Sequence, residues 1–249
     1  MTRFRPPRLL ATLCAGLLAL TIVPTVVAAP SSSYQLDLGR RVDYVGQTNL
    51  VQCVGASMQM MLNMMTTRDD RSAATQLRLQ KLARAWSGPS RNGRIRKGAS
   101  VRGWARGLTM EGGGPYQVVG KDTVQEALLA AARAMRTTGR PVGLLVWRGR
   151  HAWVMSGFEA TKGLGDGGRV TSVTIYDPLY PYGNDFWGPS PRPGVPISVR
   201  TLGRQFVPRR TNNNSNAFQT TLEQAYPTLS GKYVLVLPYV PHVPVRRPA

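Results

Sequence analysis

The hydrophobic period of this 249-residue chain changes once, near Pro141, and that change limits the folds open to it. Before it, apolar side chains recur at helical spacing. Val54, Met58, Met61 and Met65 share one face with Leu62 beside them, which predicts a helix over 54–65, with Cys53 at its first turn. Leu77, Leu79, Leu82 and Trp86 mark a second helical stretch over 71–86, and a short segment over 98–107 carries Trp104. Gly112-Gly113-Gly114-Pro115 breaks the pattern. Thr123 and Glu126 form a capping box opening an Ala- and Leu-rich helix over 124–137, which Gly139 and Pro141 stop. After Pro141 come short runs of strand character over 142–147, 152–158, 170–176 and 233–237. The Gly-rich loop at 162–168 makes the second and third of these an antiparallel hairpin. Residues 31–46 read as a polar lead-in, 178–196 as a Pro/Gly-rich loop, 198–206 as a short helix and 211–216 as a polar loop. Helices first and strands after predict an α+β domain, with the helices packed on an antiparallel sheet.

The start of the chain reads as an export signal. Arg3, Arg5 and Arg8 precede an apolar run over 9–27, and small residues at Val26-Val27-Ala28 and Val27-Ala28-Ala29 suit cleavage. The run is also close to the length of a membrane anchor, about 17–25 residues; Pro24 and the small residues favour cleavage. The expected organisation is a signal peptide at 1–29, one domain at 30–240 and a Pro-rich tail at 241–249. The expected location is secreted or bound to the cell wall, with no stable span once the leader is gone.

The net charge is +20, and subtracting the three arginines of the acid-free leader leaves about +17. Such a balance suits anionic cell-surface polymers as partners. It does not argue for nucleic acid: the one dense basic cluster, Arg91 to Lys97, lies in a loop-like stretch with no aromatic interleaving and no nucleic-acid motif. Five methionines in 54–65 fit core filling, with a soft-metal or adaptable binding face as the alternative. The mature chain has too few His and Cys for a metal site, and no cofactor is called for.

The chain has two cysteines, and Cys14 is expected to leave with the leader, so Cys53 has no disulfide partner within the mature chain. A thiol attacks as the thiolate, which a helix N-terminus and a nearby imidazolium both favour. Cys53 has the first by its place before the 54–65 helix. His151, one of only two histidines, would supply the second as base and then acid. Asp177 ends the next strand of the hairpin; strand pairing would bring it to His151, where it would fix the ring's tautomer. Asn184 and Asp185 are rivals for that role, and His242 lies in the Pro-rich tail. The Cys53 N–H and the Gln47 amide are oxyanion candidates, with Gln52 as a rival to Gln47. Gly55 is small enough to admit substrate close to the backbone, and the aromatic loop with Tyr180 and Trp187 would line a cleft beside Asp177.

A glutamine six residues before a helix-starting cysteine, then a histidine, then an acid, resembles the papain-like cysteine peptidase superfamily. The segments Gln47…Cys53-Val54-Gly55-Ala56, His151-Ala152-Trp153-Val154-Met155-Ser156-Gly157 and Tyr176-Asp177-Pro178 are most similar to bacteriocin-processing peptidases, which cut after double-glycine leaders, and to their stand-alone relatives. The resemblance covers roughly residues 34–238. It implies an α+β papain-like fold, Cys53 as nucleophile, His151 as base, Asp177 as orienter and Gln47 in the oxyanion hole; Trp153, two residues after His151, is also expected among the substrate contacts. Two departures are plain: Val54 separates the cysteine from the glycine that often follows it directly, and no transporter segments accompany the domain. The expected activity is that of a thiol hydrolase on a peptide or protein substrate. A transglutaminase-like acyl transferase with the same triad, and a cationic surface-binding protein without catalysis, are the alternatives.

Overall fold

The computed structural model describes residues 33–66, 68–88, 97–161, 164, 167–210 and 229–241. The chain divides into two units, Met1–Pro30 and Ser31–Ala249. The leader, Arg91 to Arg96 of the basic cluster, the 211–216 loop, His242 and the end of the tail lie outside the described residues.

Within the second unit the sheet is antiparallel throughout. Its strands are β1 (Ser33–Asp37), β2 (Tyr116–Lys121), β3 (Val142–Val146), β4 (His151–Thr161), β5 (Arg169–Tyr176), β6 (Pro196–Ser198) and β7 (Tyr233–Pro238), in the order β2-β7-β3-β4-β5-β6, with β1 also on β4. The β4–β5 hairpin forms as expected, pairing Val154 with Tyr176. Strand β4 has both edges occupied: β5 lies along one, while β3 takes residues 151–155 and β1 residues 157–161 on the other.

The helices are α1 (Cys53–Met65), α2 (Ala73–Ala85), α3 (Val101–Met110), α4 (Val124–Thr138) and α5 (Val199–Leu202). Side-chain oxygens cap four of them: Ser72, Ser100, Thr123 and Ser198 accept backbone N–H groups at the starts of α2, α3, α4 and α5. The capping box at Thr123 and Glu126 closes as written in the sequence, and Gly139, left-handed at φ 63°, ends α4. Helix α1 differs: Gln52 at its N-cap makes no side-chain cap bond.

The helices pack on an antiparallel sheet, as the sequence predicts, and they occupy both of its faces. Alternate strand residues divide between two cores. Trp153, Met155, Ile175, Leu144 and Leu235 join α4 on one side. Ala152, Val154, Tyr176, Val234 and Val236 join α1, α2 and α3 on the other. This is why β4 reads as a nearly unbroken apolar run: eight of its first eight residues are buried.

Candidate active site

The N-terminus of α1 carries Cys53, a free and partly exposed thiol. The first N–H groups of a helix have no intrahelical acceptor, and their partial positive charge favours an anion. The side chain of Gln80 takes the Gly55 N–H at 2.9 Å. The Cys53 N–H is left at the open end, beside its own thiol.

Two glutamines of α2 hold the loop that leads to Cys53. Gln76 donates to the Gly46 carbonyl and accepts from the Thr48 N–H, at 2.9 and 2.8 Å. Gln80 donates to the Val51 carbonyl at 2.9 Å while accepting from Gly55. Both are buried, and both satisfy backbone groups that would otherwise be costly in a dry site. Their sequence signal was two polar residues, four apart, on the same helix face as Leu79 and Ala83.

This loop also reaches the acid. The Gln47 N–H donates to the Pro178 carbonyl at 2.8 Å, and the Tyr44 hydroxyl donates to the Tyr180 carbonyl at 2.6 Å. Gln47 therefore lies against the residue that follows Asp177. Its Nε2 donates to the Asn49 carbonyl at 2.9 Å, which uses one of two amide hydrogens, and its Oε1 is buried without a hydrogen-bond partner. Gln52, the rival, accepts from the Thr48 hydroxyl at 2.7 Å.

His151 opens β4 and is 4% exposed. Its Nε2 lies 2.7 Å from Asp177 Oδ1. An ionised carboxylate only accepts, so Nε2 carries the proton and Nδ1 is the nitrogen left for the thiol. Asp177 is fully buried; the Leu179 N–H also donates to its Oδ1, at 2.8 Å, and its Oδ2 has no hydrogen-bond partner. Burial lowers the His151 pKa, but the hydrogen bond and charge of Asp177, with those of Cys53, outweigh it and push the value up to about 9. The same imidazole is thus coupled to the carboxylate on one side and the thiol on the other. Packing brings them together: the Ser57 hydroxyl of α1 donates to the Ala152 carbonyl at 3.3 Å, docking α1 on the start of β4.

A third contact on His151 was not foreseen. The Trp147 ring stacks on the imidazole at 4.2 Å and 24° between planes. Trp147 and Arg148 both have left-handed backbone, with φ of 55° and 56°. For residues with a Cβ this costs on the order of 1–2 kcal/mol each. Gln205 offsets the strain: its carbonyl accepts from the Trp147 N–H at 2.9 Å and its Oε1 from the indole N–H at 2.8 Å. Trp147 looked like the last residue of a strand, and only its place four before the histidine hinted at more.

Four sequence expectations need correction or refinement. Gly55 does not face a substrate channel: it packs under α2, where a Cβ would come within 2.7 Å of the Gln76 carbonyl oxygen. Trp153 is fully buried in the α4-side core, because every second residue of β4 points there. In the loop after Asp177, Tyr180 is half-buried against Tyr44, and Trp187 is half-buried against the core and Phe186. The aromatic side chains that this loop exposes are instead Tyr182, at 82%, and Phe186, at 80%. Asn184 is spent on its own turn, accepting from the Phe186 and Trp187 N–H groups, and Asp185 is exposed.

Among the described residues no three His, Cys, Asp or Glu side chains converge as metal ligands, and no helix is long and apolar enough to cross a membrane. A cavity of about 490 Å³ lies along the later turns of α1, lined by Gln59, Asn63, Arg78, Glu111 and Arg140 among others. Cys53 and His151 do not line it, so it is separate from the thiol site. No protein-family model matches the chain, and comparison with curated proteins and with solved structures likewise gives no match.

Proposed function

We propose that this protein is an exported thiol hydrolase of papain-like type, acting as a cysteine peptidase. The observation that carries this reading is the buried His151–Asp177 pair at 2.7 Å, with the Cys53 thiol, at the start of α1, among the groups that raise the same imidazole's pKa. The uncapped start of α1 supports it, because that is where a thiolate is stabilised. His151 would take the Cys53 proton, giving a thiolate–imidazolium pair. The sulfur then attacks the peptide carbonyl and forms a C–S bond, while the Cys53 N–H and the second amide hydrogen of Gln47 receive the oxyanion. His151 returns the proton to the departing amine as the C–N bond breaks. Water, deprotonated by His151, releases the acid and restores the thiol. Trp147 holds the ring plane through these steps.

The test is turnover of a pool of quenched peptides by the purified protein. Cys53→Ala and His151→Ala should each abolish it, and activity surviving in either variant would overturn the reading. Iodoacetamide alkylation should persist well below the ordinary thiol pKa of about 8.5 and lose that acid-side reactivity in His151→Ala. Added amine separates the two possible acceptors: free acid as the product means hydrolysis, amide means acyl transfer. Export is proposed from the leader, and the N-terminus of the secreted protein, expected just beyond Ala28 or Ala29, checks it.

A further inference from the structure

The turn that presents His151 is more basic than the proposed chemistry needs. Arg148 and Arg150 flank Gly149 within it, and both are exposed. A second segment closes over this turn and adds Arg204 and Arg210, also exposed. The two segments are stitched together: Gln205 holds the Trp147 N–H, and the Arg210 N–H donates to the Arg148 carbonyl at 3.2 Å. The stem of Arg209 lies over Gly149, where a Cβ would come within 3.1 Å of its Cγ. Gln205 also donates to the Pro189 carbonyl at 3.0 Å, tying the same segment to the loop after Asp177.

Neither 147–151 nor 203–210 contains an acid. The ion pairs among the described residues join Arg40 to Asp43, Arg71 to Asp69, Arg78 to Glu111 and Lys232 to Asp122, and so leave Arg148, Arg150, Arg204 and Arg210 out. The carboxylate that does reach this turn, Asp177, is buried and committed to His151 and Leu179. What sets these four apart is their clustering: two stitched segments beside the histidine present four exposed arginines with no carboxylate ion-paired to them among the described residues.

We infer that Arg148, Arg150, Arg204 and Arg210 form an acidic-residue subsite, which selects polypeptide substrates carrying Asp or Glu within a few residues of the bond to be cut. The inference rests on the peptidase reading above. Arg150 is one Cα step, about 3.8 Å, from His151, so a chain whose carbonyl sits at Cys53 passes the platform at once. Guanidinium groups bind carboxylates through paired N–H donors, and a patch of one sign also steers the substrate in. A polypeptide is favoured over a phosphate polymer as the occupant because the platform shares its turn with the group proposed to protonate a departing amine.

The experiment uses two peptides that differ only in flanking Asp/Glu versus Asn/Gln, and the quadruple variant Arg148→Gln/Arg150→Gln/Arg204→Gln/Arg210→Gln. The acidic peptide should show kcat/KM at least about tenfold higher at low salt, with the advantage fading near 0.5 M salt as screening shortens to a few ångströms. The quadruple variant should cleave the neutral peptide at the unaltered rate and lose the preference; Arg150→Gln and Arg210→Gln alone should each lose part of it. Equal turnover of both peptides, or a preference that survives the quadruple change, overturns the subsite and leaves the peptidase reading standing. Fluorescence polarisation of the acidic peptide on Cys53→Ala covers the converse. Salt-sensitive binding lost in the arginine variants, without turnover by the unmodified protein, sinks the peptidase and keeps the acid-binding surface. Arginine-dependent binding of polyphosphate but not of acidic peptide overturns the polypeptide assignment, and neither binding nor turnover overturns both.

Discussion

The thiol and the imidazole of the proposed site are held in opposite ways. Cys53 sits at the end of a loop fixed from outside, by neutral side chains of α2: Gln76 and Gln80 satisfy four backbone groups between Gly46 and Gly55. His151 is fixed from within the sheet. Its strand is paired on both edges, its ring is stacked on Trp147, and its proton is fixed by a buried acid. Neutral glutamines suit the first task, because a charge there would compete with the thiolate for the helix end. A carboxylate suits the second, because its purpose is to shift a proton equilibrium.

The sharpest way to break the imidazole half is Asp177→Asn. It keeps the shape but removes the charge that fixes the ring, and turnover should fall about 10²–10⁴-fold, the usual range for losing acid–base assistance. Steady-state kinetics on the preferred peptide checks it. Trp153→Ala tests the scaffold under that half. Emptying this fully buried site should cost about 3–5 kcal/mol in urea unfolding, far more than a rim aromatic that contacts substrate would. Gln76→Leu and Gln80→Leu test the thiol half. Each removes two side-chain hydrogen bonds to the loop and should cost about 0.5–1.5 kcal/mol per bond, and alkylation of Cys53 should lose its low-pH reactivity while the His151 titration, followed by NMR, holds.

The pH dependence separates the halves further. His151 titrates at about 9 in the folded protein, above its ordinary 6.5. Its contribution to stability is therefore complete below pH 6.5 and is lost as pH rises through 9. Thermal melts between pH 6 and 10 should show that decline in the native protein and a shallower one in Asp177→Asn. The smallest effect is expected from Tyr182→Ser and Phe186→Ser, within about 0.5 kcal/mol of stability, because both rings are already in water.

The period change at Pro141 made α1, α2, α4 and the β4–β5 hairpin legible, since each carries its own local signal. Strand β1 was hidden because only Tyr34 and Leu36 mark it and its partner lies more than a hundred residues on. Strand β2 follows a glycine break and includes Gly120, so its short apolar centre, Val118-Val119, did not stand out. The sheet's second helical layer was invisible for a related reason: nothing local tells α4 which face to cover. The order Cys53, His151, Asp177 was readable because chemistry demands those residue types. Trp147, Gln76, Gln80 and Gln205 were not, because tryptophan and glutamine serve many ends and only the fold assigns these. Trp153 was misplaced because proximity to His151 along the chain says nothing about which face of a strand it shares.

Strand β4, bonded along both edges and covered on both faces, should be the part of the molecule slowest to open. In hydrogen–deuterium exchange the amides of Val154 to Phe158, where β5 lies on one edge and β3 or β1 on the other, should be among the last to exchange, after the rim at β6 and the loop beyond Asp177 have already opened. A heated or partly denatured population would then keep the strand that carries His151 in place while β6 and the loop beyond Asp177 come and go. Such a protein would fray at its rim before the His151–Asp177 pair came apart.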